Sequence, residues 1–147
     1  MSYFNDESMY REIIIDHTKN PRNIKKPNDD YKKAYLKNPS CGDEITLYVL
    51  YDEKENKVKD ITYKVSGCSI CCASASMMSE LFIGKTKEEI DKIIQNFNNM
   101  VTGQEYDEDM LGDAISLKGV VNVPPRIKCA TLGYKAFQKA IGDSHEM

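Results

Sequence analysis

Two stretches of alternating residues constrain this chain more than any other feature. Ile45, Leu47, Val49 and Tyr51 alternate with Thr46, Tyr48 and Leu50, while Ile61, Tyr63 and Val65 alternate with Asp60, Thr62 and Lys64. Successive side chains of a strand point to opposite faces, so this period predicts two half-buried strands. The polar link Asp52–Lys57 is short enough for an antiparallel hairpin, in which the start of one strand lies beside the end of the next. The segment before the first strand, Asn38–Asp43, and the segment after the second, Ser66–Cys68, are therefore expected to meet at one end of a sheet.

Both segments carry a cysteine. Thiolates are soft donors that select zinc or iron–sulfur clusters, and a carboxylate can fill a fourth tetrahedral position. Asn38-Pro-Ser-Cys-Gly-Asp43 supplies Cys41 and Asp43, with Pro39 stiffening the approach and Gly42 allowing a sharp turn between them. With Cys68 and Cys129 they make three thiols and one carboxylate. Any one of these cysteines alone reads as a small core residue; as a constellation, Cys41, Asp43, Cys68 and Cys129 are expected to form one metal-binding, sulfur-handling site.

At 147 residues the chain reads as one domain, residues 1–147, large enough for a hydrophobic core without covalent staples. Its net charge is −3, and its lysines and arginines form no basic run, which argues against nucleic acid as a partner. No apolar run is long enough to span a bilayer, and residues 1–11 lack the layout of a signal peptide, so no membrane association and a cytoplasmic location are expected. In a reducing compartment, five cysteines serve as ligands, catalysts or core residues rather than a disulfide framework. There is no glycine-rich phosphate loop and no paired-carboxylate or Ser/His/Asp arrangement.

The first helix is expected from a cap at Asn5 or Asp6, through Met9, Tyr10, Ile13 and Ile14, to His17, with Asn20-Pro21 ending it. His17, in the last turn, could serve as a metal ligand but fits better in packing or beside the helix dipole. A loop follows, then a short strand over 32–37. Ser66-Gly67-Cys68 leads into a small-sided helix through Ala73, Met77, Met78 and Leu81 to Gly84. A cysteine at a helix start is favoured as thiolate. Cys71 and Cys72 permit a redox or chelating C-x-x-C reading, but they fit better as packing residues.

Thr86-Lys87-Glu88-Glu89 is a capping box for an amphipathic helix through Ile90, Ile93, Ile94 and Phe97 to Asn98-Asn99. The acidic stretch Gly103–Asp113 lacks the ordered glycine and terminal glutamate of a calcium loop and reads as a solvated segment, followed by a short helix over 114–118. Pro124-Pro125 is a rigid lead-in to the last helix, with Cys129 expected in its first turn. Arg126 and Lys128 flank Cys129, and either could offset the excess charge of three thiolates and one carboxylate around a divalent ion.

Asn38-Pro-Ser-Cys-Gly-Asp43, Ser66-Gly-Cys-Ser-Ile-Cys-Cys-Ala-Ser-Ala-Ser-Met-Met78 and Arg126-Ile-Lys-Cys-Ala-Thr-Leu132 resemble the three cysteine motifs of the IscU/NifU N-terminal family of iron–sulfur cluster assembly proteins. The segment Tyr10–Asn23, with Asp16-His17 and Asn20-Pro21-Arg22-Asn23, is similar as well. Within the family the chain resembles the SufU branch: residues 102–119 match its insertion, and Lys128 stands where the IscU branch has histidine. Cys71 and Cys72 depart from the family pattern of residues such as Ser and Met.

The resemblance implies an α+β fold, a small antiparallel β-sheet of about three strands with helices packed mainly on one side and a metal site at the sheet's end. For the SufU branch it implies a Zn2+-bound sulfurtransferase that accepts persulfide sulfur from a SufS-type cysteine desulfurase, activates that enzyme, and relays the sulfur to SufB-type cluster assembly proteins. Cys41, Asp43 and Arg126 would then be the reacting residues, with Cys41 as nucleophile on its glycine-containing loop, and Cys41, Asp43, Cys68 and Cys129 would hold the metal. For the IscU branch the same four residues would hold a transient iron–sulfur cluster on a scaffold or carrier.

Overall fold

The alternation at residues 45–51 and 61–65 is resolved by a three-stranded antiparallel sheet of order β1-β2-β3, with β1 at Lys32–Lys37, β2 at Glu44–Asp52 and β3 at Lys57–Ser66. A computed structural model describes residues 2–39 and 42–141, with side chains from residue 8 onward. Cys41 lies outside the described residues, as does His145, to which the sequence assigns no role. The register pairs Ala34 with Leu47, Leu47 with Tyr63, and Val49 with Ile61. One face of the sheet therefore presents Ala34, Ile45, Leu47, Val49, Ile61 and Tyr63, all buried.

Past a β-bulge at Leu50/Tyr51 the pairing shifts, and the tight link between the strands carries Asn56 in the left-handed region at φ 56°. The outer face is not all solvent. Thr62 is buried because its Oγ1 accepts the Lys25 N–H and donates to the Lys25 carbonyl, both at 3.0 Å, so the loop after the first helix folds over β3.

Helix α1 spans Ser2–Lys19, starting upstream of the Asn5 and Asp6 caps expected for it, and ends beside Asn20-Pro21. Met9 is 51% exposed, while Ile13 and Ile14 pack on the core. Helix α2, Ser69–Phe82, is buried over most of its length, from Cys71 to Phe82. Its run of Ala and Ser side chains permits close packing of α1 and of the last helix on either side. Ser74, buried there, donates its hydroxyl to the Ala130 carbonyl at 2.6 Å.

Helix α3, Lys87–Val101, opens with the expected capping box: Glu89 N–H donates to Thr86 Oγ1 at 3.2 Å and Thr86 N–H to Glu89 Oε1 at 2.9 Å. It runs past Asn98-Asn99 because Met100 and Val101 are drawn into the core. Helix α4, Pro124–Ala140, starts on the two prolines. Helices α2 and α4 cover the apolar face of the sheet, and Phe82, Phe97, Tyr134 and Phe137 interlock behind them, with Phe97 stacked on Tyr134 at 4.2 Å between ring centres.

The acidic segment is more structured than expected. A 3-10 turn at Glu108–Met110 leads into a 3-10 helix at Gly112–Asn122, longer than the short helix anticipated over 114–118. Leu111, Ala114, Leu117 and Val120 are all buried. Their spacing of three matches the three residues per turn of a 3-10 helix and lines them along one face, which an α-helix would rotate away from the core.

Candidate metal and sulfur site

The register that pairs Glu44 with both Lys37 and Ser66 brings the loop before β2 against the turn after β3. The loop is closed by two backbone bonds: Gly42 N–H donates to the Asn38 carbonyl at 2.8 Å, and Asn38 N–H donates to the Asp43 carbonyl at 2.7 Å. Gly42 has φ +80°, where a side chain would be strained. Asp43 is aimed inward and is 3% exposed.

Across from it, Cys68 caps α2 in extended conformation, φ −73° and ψ 169°, and its backbone N–H donates to Asp43 Oδ1 at 3.2 Å. Its Sγ is 4.0 Å from Asp43 Oδ2. The approach requires Gly67, since a Cβ there would lie 2.3 Å from Asp43 Oδ1. Cys129 comes in from α4 and is buried; it is the sixth residue of that helix, so it sits in the second turn rather than the first.

One donor atom each from Asp43, Cys68 and Cys129 lie within 4.8 Å of one another. Soft sulfur donors with one carboxylate are the donor types zinc and iron–sulfur clusters take, and two of the three residues are buried, so the described residues fit a bound metal centre.

Arg126 and Lys128, alike in charge and both beside Cys129, with Arg126 alone singled out by the family resemblance, part company in the structure. Hydrogen bonding to the Cys129 sulfur, with the negative charges of Cys68 and Cys129, raises the Arg126 pKa above its ordinary value. Lys128 instead lines a groove with Leu36, Asn38, Pro39 and Leu132. They are two residues apart on a helix, about 200° around its axis, so only one can face the thiols.

Cys71 is buried in the core, as the packing reading expects. Cys72 is half-buried at the rim of the site, where burial and then the charges of Cys68 and Asp43 push its thiol up. The described cysteines form no disulfide.

The sequence reading missed a polar cluster away from this site. His17 is buried, as expected, but its partners are Ser76 on α2 and Asp113 at the start of the long 3-10 helix. A signal was available: Ser76 and Glu80 are spaced i, i+4 and so share one face of α2, able to meet a histidine from a packed helix. Among the described residues, no helix is long and apolar enough to cross a membrane.

The same architecture and motifs occur in known proteins. The NifU-like N-terminal domain description matches residues 9–146. The zinc-dependent sulfurtransferase SufU of Bacillus subtilis is 43% identical over 93% of this chain and 92% of its own length. The iron–sulfur cluster assembly scaffold protein IscU of Streptococcus pyogenes is 42% identical over 90% of this chain and 82% of its own length. A crystal structure from Fervidobacterium islandicum AW-1, assigned as an iron–sulfur cluster assembly scaffold for the SUF system, superposes with a TM-score of 0.82 at 40% identity, covering 91% of this chain and 97% of that one. Agreement in sequence over nearly the whole length, and in fold with helices on one side of a three-stranded sheet, means that the chain belongs to the NifU-like N-terminal domain family of iron–sulfur cluster assembly proteins.

Proposed function

We propose that this chain is a zinc-dependent sulfur acceptor, taking sulfane sulfur from a SufS-type cysteine desulfurase in the cytoplasm and passing it to SufB-type cluster assembly proteins. The observation that carries the reading is the convergence of Asp43, Cys68 and Cys129 with the Arg126 guanidinium on the sulfurs. The name of the Bacillus subtilis relative, a zinc-dependent sulfurtransferase, supports it.

In this reading Cys41, Asp43, Cys68 and Cys129 hold Zn2+. Bound zinc would keep its cysteine ligands as thiolates at neutral pH without redox chemistry of its own. Asp43 receives the Cys68 N–H, which holds the carboxylate and that sulfur in one register. Arg126 offsets part of the negative charge. Cys41 is the nucleophile: its thiolate attacks the terminal sulfur of the desulfurase persulfide, a new S–S bond forms on Cys41, and the old S–S bond breaks with its electron pair leaving on the desulfurase cysteine. An acceptor thiolate then attacks the same terminal sulfur and regenerates Cys41. No net oxidation occurs in either transfer.

The test joins two measurements on protein isolated without air: metal and acid-labile sulfide content, and stimulation of desulfurase turnover. About one zinc per chain with strong stimulation, abolished in Cys41→Ala, is the expected result. Full stimulation by Cys41→Ala would overturn the assignment of that residue. Because relatives at similar identity carry scaffold names, a second reading is a carrier of a transient iron–sulfur cluster. That reading expects stoichiometric iron and sulfide, weak stimulation, and intact transfer to an apo-acceptor.

A further inference from the structure

Ser76 and Glu80 lie eight and twelve residues beyond Cys68, roughly 12 and 18 Å along the axis of α2, so the cluster around His17 is separate from the thiol site. His17, from the end of α1, has 0% exposure. Its Nδ1 lies 2.7 Å from Ser76 Oγ. Its Nε2 lies 2.9 Å from Asp113 Oδ2 and 3.8 Å from Glu80 Oε1. We propose that His17, Glu80 and Asp113 form a second divalent-cation site, one of nitrogen and oxygen donors suited to first-row ions such as Mn2+ or Zn2+.

Two carboxylates converge on one ring nitrogen, which carries at most one proton and can serve only one of them. The other ring nitrogen is fixed by Ser76, whose oxygen also accepts the Arg22 N–H at 2.9 Å. With the ring proton on Nδ1 and donated to Ser76, the Nε2 lone pair points between Asp113 and Glu80, and a cation completes that arrangement. Orientation of a ligating imidazole by a hydrogen bond at its far nitrogen is the usual support for a metal-binding histidine.

Charge leads to the same place. Asp16, Glu80 and Asp113 bring three negative charges, and Arg22 brings one positive charge that it shares between Asp16 at 2.6 Å and Glu80 at 3.7 Å. With a neutral imidazole the cluster is left at −2, the charge a divalent ion cancels. The separations of 2.9 and 3.8 Å bracket the roughly 3.3 Å between ligands at ~2.0 Å from a tetrahedral ion. The Glu80 and Asp113 side chains are 44% and 48% exposed, which leaves a mouth for the ion and for water ligands. The buried imidazole distinguishes this cluster from an ordinary acidic surface. An ion here would tie α1, α2 and the 3-10 helix together.

Mn2+ is the discriminating probe, because a thiolate-rich site selects against it and the result does not depend on what the thiol site carries. Binding to the full chain is read from loss of the free Mn2+ resonance signal. The expected result is one Mn2+ per chain, displaced by Zn2+, with affinity weakened at least about tenfold in both Asp113→Asn and Glu80→Gln. These half-exposed positions are chosen because His17 variants risk misfolding, and circular dichroism verifies that each variant is folded. Asp109→Asn, in the exposed 3-10 turn, should bind as the parent does. No Mn2+ binding up to millimolar concentration would overturn the proposal, as would binding unchanged by both substitutions. Thermal stability unchanged by Mn2+ would do the same, marking the cluster as a hydrogen-bonded clamp between helices.

Discussion

Replacing Gly67 by alanine probes the positioning of Asp43 without touching a ligand. A Cβ at residue 67 would lie 2.3 Å from Asp43 Oδ1, 2.7 Å from its Cγ and 3.0 Å from its Cβ. Gly67 is not among the glycines with positive φ, so alanine suits its backbone and the contact alone is at issue. An ordinary contact is about 3.5 Å, so Oδ1 must retreat by roughly 1.2 Å. The carboxylate is buried, and the retreat breaks its 3.2 Å hydrogen bond from Cys68 N–H. A hydrogen bond to a charged group contributes about 1.5–3 kcal/mol, and overpacking costs about 1–3 kcal/mol where the surroundings cannot yield.

We therefore expect a loss of about 2 kcal/mol in urea unfolding of the metal-free protein, and roughly 30-fold weaker zinc retention in competition with a chelator. Gly119→Ala is the control: nothing lies within 4 Å of its added Cβ, and a change within about 0.5 kcal/mol is expected. In an Asp43→Ala background the carboxylate is gone and only the Cβ contact at 3.0 Å is left, so Gly67→Ala should cost far less there than in the parent chain. Equal behaviour of Gly67→Ala and Gly119→Ala in both assays would refute the reasoning.

Three further outcomes follow from other parts of the molecule. Tyr134 is buried with its hydroxyl unpaired among the described residues, so Tyr134→Phe should raise stability by about 1 kcal/mol in urea unfolding; a loss of that size would mean the hydroxyl has a partner. Burial raises the Asp60 pKa, but hydrogen bonds from Lys25 and Tyr31 outweigh it and hold the carboxyl below its ordinary value. Its contribution is present above the unfolded value of about 3.9 and is lost as pH falls through the lower folded value. Tyr31, pushed up to about 12 by its hydrogen bond to Asp60 and then by burial, contributes below about pH 10 and loses that contribution as pH rises towards 12. Asp60→Asn should flatten both limbs of a stability–pH curve, and an unchanged curve would count against the pairing. Cys72, kept as a thiol at neutral pH by burial and its neighbours' charge, is a poor donor and nucleophile. Cys72→Ser should leave zinc content and desulfurase stimulation within about twofold of the parent, whereas a tenfold loss would give Cys72 a part in the site.

Local periodicity was the most legible layer of this chain, because each element must bury one face and writes that face into its own spacing. The alternation at 45–51 and 61–65 predicted the hairpin, and the hairpin alone was enough to bring Asp43 and Cys68 together. The capping box at Thr86 and the proline lead-in to α4 were equally local, since their partners lie within a turn. Leu111, Ala114, Leu117 and Val120 carried a period of three that was visible but overshadowed by the acidic residues around it.

Tertiary structure decided whatever depended on the direction of a side chain or the meeting of distant segments. Arg126 and Lys128 are alike in charge and nearly so in position; the rotation of α4 against the sheet turned one to the sulfurs and the other to the groove beside Asn38. Thr62, polar on a face expected to be solvated, became buried when a loop from residue 25 crossed it. His17 found Ser76 and Asp113 at sequence separations of 59 and 96; the spacing of Ser76 and Glu80 marks one face of α2 but does not say which distant residue meets it. Residue types and spacings therefore determined the elements and the candidate thiol donors. Helix packing, which fixes relative rotation and brings together groups far apart in the chain, determined which charge serves those donors and created the cluster around His17.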